Sequence, residues 1–329
     1  MAFVVEKPGL FTIVQDLGRW GGLSRGVSLS GPMDRFSLLM GNVMLGNDPN
    51  DAALEMAFLG PDVVFLDERC LVLVGAEFDA RIDGELFGAW TVRRIAPGGR
   101  LSIGGTRRGC RAYLCISGGI DVPLVMGSRS THVRAKLGGY SGRAILAGDV
   151  VELGAPRPLW RAAEGFVCPE ALRLSRSPDE PIDAMDGPQV DAFTEKGIKT
   201  FYGSAYVVTD RSDRMGCRLD GSALEHMGGP DGANIISEAV VHGAVQVPGD
   251  GKPIVLMSDC QTVGGYSKIA VVSSWSVAAL AQRAPGSEVR FRRVTTEDAV
   301  WRLKKFEMDL WSVAELRATH RSRPSLPAF

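Results

Sequence analysis

Short apolar runs, each closed by glycine, proline or a polar turn residue, recur along most of the chain. Four examples are residues 63–66, 71–74, 112–116 and 205–208. Runs of this length between turn formers are typical of β-strands in a barrel or sandwich. The 40 glycines and 18 prolines are spread through the sequence and do not gather in one linker. The pattern therefore predicts a mainly β protein with many tight connections.

One β-hairpin is specified in detail by the sequence. Residues 244–247 and 254–256 are apolar runs on either side of residues 248–253, which read Pro-Gly-Asp-Gly-Lys-Pro. Glycine and aspartate accept the positive φ angles of a turn, and the prolines delimit the strands. We expect two antiparallel strands joined by this turn.

A weak internal repeat accompanies the strand pattern. Residues 96–103, 147–153 and 284–291 each combine a small residue, a glycine turn and an alternating stretch. The tripeptide Gly-Tyr-Ser occurs at residues 139–141 and again at residues 265–267. These echoes suggest two related halves, although turns of this kind precede strands in many β proteins.

Three segments carry helical signals. The first begins near Pro32, has Asp34 in its first turn as a capping-type acid, and ends at Gly46. Its apolar positions have helical spacing: Phe36, Leu39, Met40, Val43 and Met44. A second short helix is predicted over residues 276–283, and a third begins at residues 295–296 with a threonine cap.

Length and local composition predict the division of the chain. Its 329 residues favour two domains on the usual scale of ~150 residues each. Residues 159–186 form the best linker candidate, because turn formers and charges dominate there. We expect an N-terminal domain over residues 1–158, a C-terminal domain over residues 180–294 and a helical arm over residues 295–329.

Charge and composition narrow the classes of function. The 37 basic and 38 acidic residues nearly balance, so the chain lacks the basic footprint of a nucleic-acid-binding protein. No uncharged apolar run approaches the ~20 residues that span a membrane, and the N-terminus lacks a signal-peptide pattern. The six cysteines are scattered, as is typical of reduced thiols. We expect a soluble cytoplasmic protein that binds neither nucleic acid nor membrane.

The densest chemistry lies in residues 259–268, directly after an apolar run. This block combines Asp259, Gln261, Tyr266 and Lys268 around a double glycine, which we interpret as a tight turn. Loops on a rigid scaffold carry function more often than the scaffold does. A solvated turn without function is the alternative on spacing alone.

A second candidate is the pair Asp213 and Arg214, which follows another strand-like run. The two side chains either face one ligand as acceptor and donor or form a surface ion pair of little energetic value. The sequence contains no phosphate-binding loop, no dinucleotide fingerprint and no nucleophile elbow. Its four histidines have no metal-ligand spacing, so no metal site is predicted.

Five polar segments occur in an order that is characteristic of one known family: residues 8–19, 30–34, 127–131, 212–216 and 259–268. Over residues 3–293 the sequence resembles the KipA-type family. Names for its members include allophanate hydrolase subunit 2-like protein, biotin-dependent carboxyltransferase domain and the C-type subunit of 5-oxoprolinase.

The resemblance implies a fold, partners and an activity. The fold is mainly β, with two tandem cyclophilin-like β-barrel domains and a few short helices. The implied activity is that of a subunit of an ATP-dependent 5-oxoprolinase, acting with a KipI-type subunit and a LamB/YcsF-type subunit on a small amide or lactam. One alternative is a carboxyltransferase that uses biotin on a separate carrier and acts on urea or a related amide. Another is a non-catalytic partner of a KipI-like regulator.

The residues of the two candidates fit either enzymatic reaction. We expect Lys268 and Arg214 to hold an anionic group, because a buried cation beside developing negative charge is a strong catalytic contribution. Asp213 or Asp259 would orient a cation or accept a proton. The remaining substrate-binding candidates are Gln261, Tyr266 and Asp34. We expect residues 259–268 and the Asp213–Arg214 pair to converge on a single pocket.

Overall fold

The computed structural model describes residues 1–173 and 179–320, and strands dominate this part of the chain. The predicted mainly β architecture is confirmed. The structure has two units, the first made of Met1–Gly18, Arg35–Ser175 and Lys305–Phe329, the second of Arg19–Asp34 and Arg176–Lys304. The domain boundaries expected from the sequence stay a prediction. Of the predicted linker, residues 174–178 lie outside the described residues.

The first unit is built on one nine-stranded sheet. Its strands are β1 (Ala2–Lys7), β2 (Phe11–Gln15), β3 (Ala53–Ala57), β4 (Asp62–Phe65), β5 (Arg69–Ile82), β6 (Glu85–Leu86), β7 (Arg93–Ile95), β8 (Arg100–Ile116) and β9 (Val150–Glu152). The order is β2-β3-β8-β4-β1-β9, and β5 pairs with β6, β7 and β8. Strand β8 is long enough to pair with β3, β4 and β5, so it organises the unit. Alternate residues of these strands form one apolar core, which includes Phe3, Leu54, Phe65 and Leu114.

Helix α1 (Arg35–Leu45) packs on this sheet, and it begins later than the sequence predicts. The prediction that Asp34 lies inside the first turn is therefore wrong. The backbone at Ser30 and Gly31 has φ angles of 55° and 84°, a left-handed turn that cannot continue into a helix at Pro32. The predicted end at Gly46 is confirmed, since Gly46 has φ +73° directly after the helix.

The second unit contains a closed barrel of seven strands in the order β10-β17-β14-β15-β12-β11-β18. Strands β10 and β18 pair in parallel and close it. The barrel strands are β10 (Ile182–Asp186), β11 (Ala205–Val208), β12 (Gly216–Gly221), β14 (Ala244–Gln246), β15 (Ile254–Leu256), β17 (Lys268–Val272) and β18 (Glu288–Arg293). Two further strands, β13 (Asn234–Ala239) and β16 (Val263–Tyr266), form a separate two-stranded ribbon.

Several local predictions for the second unit can be compared with this structure. The predicted hairpin is confirmed, because β14 and β15 pair antiparallel with Val245 opposite Val255. The second predicted helix is α3 (Ser274–Leu280), two residues ahead of its expected start. Helix α2 (Glu195–Gly203) was not predicted, although Thr194 caps it by accepting from the Gly197 N–H.

The last helix, α4 (Thr296–His320), is capped as the sequence predicts. Thr295 Oγ1 accepts from the Asp298 N–H, and Asp298 Oδ2 accepts from the Thr295 N–H, which is a reciprocal cap. Within the described ranges, no helix combines the length and the apolar character that crossing a membrane requires. A cytoplasmic location remains a prediction from the sequence.

Candidate functional site

The block of residues 259–268 has a different local structure from the one predicted. Gly264 and Gly265 lie in strand β16 and not in a tight turn, so that interpretation is wrong. Glu238 of β13 stands opposite Gly264. A Cβ atom placed on Gly264 would overlap Nε2 of Gln246, so glycine lets the ribbon approach that side chain closely.

Arg214 and Asp259, predicted from separate segments, meet as a buried ion pair. Arg214 Nε lies 2.8 Å from Asp259 Oδ2, and Arg214 Nη2 lies 3.1 Å from Asp259 Oδ1. Both residues are buried. Such a two-pronged contact combines charge with fixed geometry, so Asp259 orients the guanidinium. The further role of either residue toward a ligand stays a prediction.

The same arginine holds the segment before α1, which belongs to the second unit. Arg214 Nη2 donates to the Gly31 carbonyl at 2.6 Å. Ser258 Oγ donates to the Pro32 carbonyl at 3.1 Å. These carbonyls are thereby satisfied by side chains, which explains why the chain turns here before it enters the helix.

Two more hydrogen bonds fix this segment. Ser28 Oγ donates to the Cys260 carbonyl at 2.7 Å, and Gln282 Nε2 donates to Asp34 Oδ2 at 3.1 Å. Asp34 is fully buried, and its carboxylate contacts a glutamine of the same unit. We call Ser28, Gly31, Pro32, Asp34, Arg214, Ser258, Asp259 and Gln282 the arginine clasp.

Lys268, the first residue of β17, forms a second polar group. Its Nζ lies 2.8 Å from Glu238 Oε1, and its side chain is 4% exposed against 46% for Glu238. Gln189 Nε2 also donates to Glu238 Oε1, at 2.8 Å. The Lys268 ammonium and the Gln189 amide together lower the pKa of Glu238, which keeps it charged.

Two glutamines complete this second group. Gln246 is the cross-strand neighbour of Lys268, so their side chains share one face of the barrel wall. Gln261 Nε2 donates to Gln246 Oε1 at 3.2 Å. Among the residues that the structure describes, the buried Nε2 of Gln246 has no hydrogen-bond partner. We call Gln189, Glu238, Gln246, Gln261 and Lys268 the lysine cluster.

Sequence reasoning found Lys268 and Gln261 but missed Glu238, Gln246 and Gln189. Gln246 does leave a signal, because it is a buried amide inside the otherwise apolar strand 244–247. A buried polar side chain with an unused donor costs about 1–3 kcal/mol, so its presence suggests a ligand. Glu238 and Gln189 leave no comparable signal, because both are surface residues far from Lys268 in sequence.

Asp213 and Tyr266 have other surroundings in the structure. Asp213 is exposed, and its Oδ1 accepts from the N–H groups of Met215 and Gly216 at 2.8 and 3.1 Å. It thus holds the turn that carries Arg214. Tyr266 ends β16 with a largely exposed ring, opposite Asn234. The proposed ligand contacts of both residues stay predictions.

Cys260 is a buried thiol between the two polar groups along the chain. Burial, with the nearby Asp259 charge, raises its pKa to about 11. A thiol is nucleophilic only as the thiolate, so Cys260 is protonated and unreactive near neutral pH. Within residues 1–173 and 179–320, no cluster of three or more histidine, cysteine or carboxylate side chains could hold a metal ion.

The two glycines of β16 allow a direct test of the lysine cluster. We expect Gly264→Ala to displace Gln246 and to lower turnover by about tenfold, since a shift near 1 Å in a positioning group has effects of up to about 10²-fold. Gly265→Ala is the matched control, because its Cβ would lie 3.1 Å from Ser237 Oγ, a contact that a small shift relieves. Equal activities of the two variants would contradict the role of Gln246.

Comparison with known proteins adds to this geometry. The carboxyltransferase domain family, subdomain A and B, matches residues 25–293. The chain is 35% identical to the C-type subunit of 5-oxoprolinase from Escherichia coli K12 over 298 residues, which is 90% of this chain and 92% of that protein. It is 32% identical to urea amidolyase of Saccharomyces cerevisiae over 314 residues, 91% of this chain and 17% of that protein.

A solved structure gives the same result for the fold. The crystal structure of the K. lactis urea amidolyase matches with a TM-score of 0.88 and 31% identity. The match covers 95% of this chain and 20% of that chain. This chain therefore spans about a fifth of that urea amidolyase but most of the length of the bacterial protein.

Proposed function

Since the chain belongs to the carboxyltransferase domain family, subdomain A and B, we propose that it is a subunit of an ATP-dependent 5-oxoprolinase. Such a complex opens the lactam ring of 5-oxoproline to glutamate. The observation that carries the proposal is the 35% identity to the C-type 5-oxoprolinase subunit from Escherichia coli, which extends over 92% of that protein. The proteins compared above are enzymes or enzyme subunits, which supports an enzymatic role.

The lysine cluster suits the chemistry of 5-oxoproline. This molecule carries a carboxylate and a ring amide, so it needs a cation and amide-type hydrogen bonds from its site. Lys268 provides the buried cation, and Gln246 provides an unused N–H donor for the lactam oxygen. Gln261 holds Gln246 by its Oε1, which fixes the direction of that donor. A donor that is already in place before the oxygen becomes negative stabilises the transition state without reorganisation.

The arginine clasp has a supporting part in this proposal. Its buried pair, Arg214 and Asp259, ties residues 28–34 to the loop that leads into Gln261. A fixed loop holds Gln261 within reach of Gln246, as required of a rigid site. We therefore treat Arg214 and Asp259 as positioning residues, with the direct ligand contact assigned to Lys268.

ATP and the partner subunits belong to the same proposal. The lysine cluster offers a single lysine and no glycine-rich phosphate loop, which does not fit a triphosphate. We therefore assign no residue of this chain to ATP, and we place its binding on a KipI-type or LamB/YcsF-type partner. Hydrolysis of ATP would make the ring opening favourable.

Carboxyl transfer to urea is the second candidate, favoured by the TM-score of 0.88 to the K. lactis urea amidolyase. The same residues fit the biotin of a separate carrier, because Lys268 and Gln246 can face its ureido oxygen. When bound, carboxybiotin supplies the carboxyl group. This chain's residues would then orient the ureido ring and stabilise its negative charge.

The two candidates are separated by assays on purified proteins. The chain is combined with KipI-type and LamB/YcsF-type subunits, and glutamate and ADP are measured with 5-oxoproline and ATP. We expect both products in equal amounts, and none when this chain is left out. Urea-dependent consumption of a carboxybiotin carrier would favour carboxyl transfer. Stable association with a KipI-type subunit and neither activity would indicate a non-catalytic binding role.

A further inference from the structure

The charge of Lys268 is balanced by a residue on a separate element. Glu238 lies in β13, whose residues are mostly exposed, and among the described strands β13 pairs with β16 alone. The ladder between the two strands is irregular between Asn234 and Glu238. Two-stranded ribbons are marginally stable by themselves, so this element is well suited to move.

The burial of the two charges is strongly unequal. The side chain of Lys268 is 4% exposed, whereas that of Glu238 is 46% exposed. A buried ammonium without an anion is costly, so Lys268 requires a negative partner at all times. A half-exposed carboxylate returns to water at little cost, because exposed ion pairs contribute ~0–1 kcal/mol. Exchange of Glu238 for another carboxylate therefore keeps the lysine paired.

Gln189 has a second contact that restrains the pair. Its Nε2 donates to Glu238 Oε1, and its Oε1 accepts from the Lys268 N–H at 3.3 Å. The side chain thus connects the ribbon to the start of β17. Because Gln189 is partly exposed and uncharged, it holds Glu238 in place without making the closed arrangement permanent.

From this arrangement we propose that Glu238 is a built-in competitor for the anion position of Lys268, and that a carboxylate ligand binds by displacing it. The inference rests on the proposed function in that Lys268 is taken as the anion site. The ribbon β13–β16 then acts as a latch that is closed in the free protein and released when the ligand carboxylate pairs with Lys268. The internal carboxylate sets a threshold that weak or uncharged ligands do not pass.

The test measures binding of two named probes, acetate and 5-oxoproline, to the purified chain by calorimetry at pH 7. If the closed pair occupies about nine-tenths of the molecules, Glu238→Gln raises the apparent affinity for both by about tenfold. Lys268→Met combined with Glu238→Gln is expected to bind neither. Glu288→Gln is the matched control, because Glu288 is a half-exposed partner of Arg290 at 2.9 Å, and its affinities should stay unchanged.

The outcomes separate this inference from the proposed function. Tighter acetate binding by Glu238→Gln, without turnover of 5-oxoproline in the complex, would support the latch and overturn the 5-oxoprolinase assignment. Turnover by the native complex, together with unchanged or weaker binding by Glu238→Gln, would overturn the latch and keep the assignment. Weaker binding in particular would mean that Glu238 contacts the ligand as an acceptor.

Discussion

Replacement of Lys268 by methionine is expected to lower the turnover of the reconstituted complex by about 10²–10³-fold, the usual loss when one preorganised charge donor is removed. Methionine keeps most of the buried volume, so the barrel should fold as before. Its partner Glu238 is half-exposed and returns to water, which leaves no buried carboxylate unpaired. The measurement is kcat and KM for 5-oxoproline, with circular dichroism and thermal unfolding to verify the fold.

Two further variants give this result its meaning. Lys268→Arg keeps the charge but changes the shape of the cation, and we expect it to recover only part of the activity. Lys199→Met is the control, since Lys199 is an exposed helix residue that pairs with Glu195. If Lys268→Met turned over at the rate of this control, the lysine cluster would not be the site of the reaction.

Asp259→Ala is expected to destabilise the second unit by about 3–5 kcal/mol, because it leaves the buried guanidinium of Arg214 without its anion. The two groups contact each other through two hydrogen bonds, and both are buried. Removal of the carboxylate therefore costs the desolvation of a charge and not merely one contact. Guanidinium-induced unfolding measures the loss, and hydrogen exchange in β15 and β17 locates it.

The controls for this second prediction use charges of the same unit. Arg214→Met together with Asp259→Leu removes both charges, and we expect it to recover much of the stability. Glu288→Ala breaks an exposed pair and should cost under ~1 kcal/mol. An Asp259→Ala protein as stable as Glu288→Ala would show that the buried pair is not what holds residues 28–34.

The two variants differ in what they affect. Lys268→Met acts on the group that we propose contacts the ligand, so kcat falls while the fold persists. Asp259→Ala acts on the clasp that supports Gln261, so stability falls first and activity follows. A variant of the clasp that loses activity while keeping its stability would assign Arg214 or Asp259 a direct part in the reaction.

Local sequence patterns determined the mainly β fold and several elements of this protein. Apolar runs between turn formers predict the strands, because side-chain alternation and turn φ angles depend on neighbouring residues alone. The hairpin at residues 248–253 and the threonine cap before α4 follow from the same local rules. Ordered motifs further indicated Arg214, Asp259, Gln261 and Lys268 as candidates for chemistry.

Only the tertiary structure decided which of these residues meet. Strand register places Gln246 beside Lys268, and the ribbon brings Glu238 to the lysine. The double glycine became a strand, against its local preference, because the ribbon approaches Gln246 there. Such pairings depend on contacts between residues that are distant in sequence, where local propensities carry no information, and the free energy of burying a charge then selects its partner.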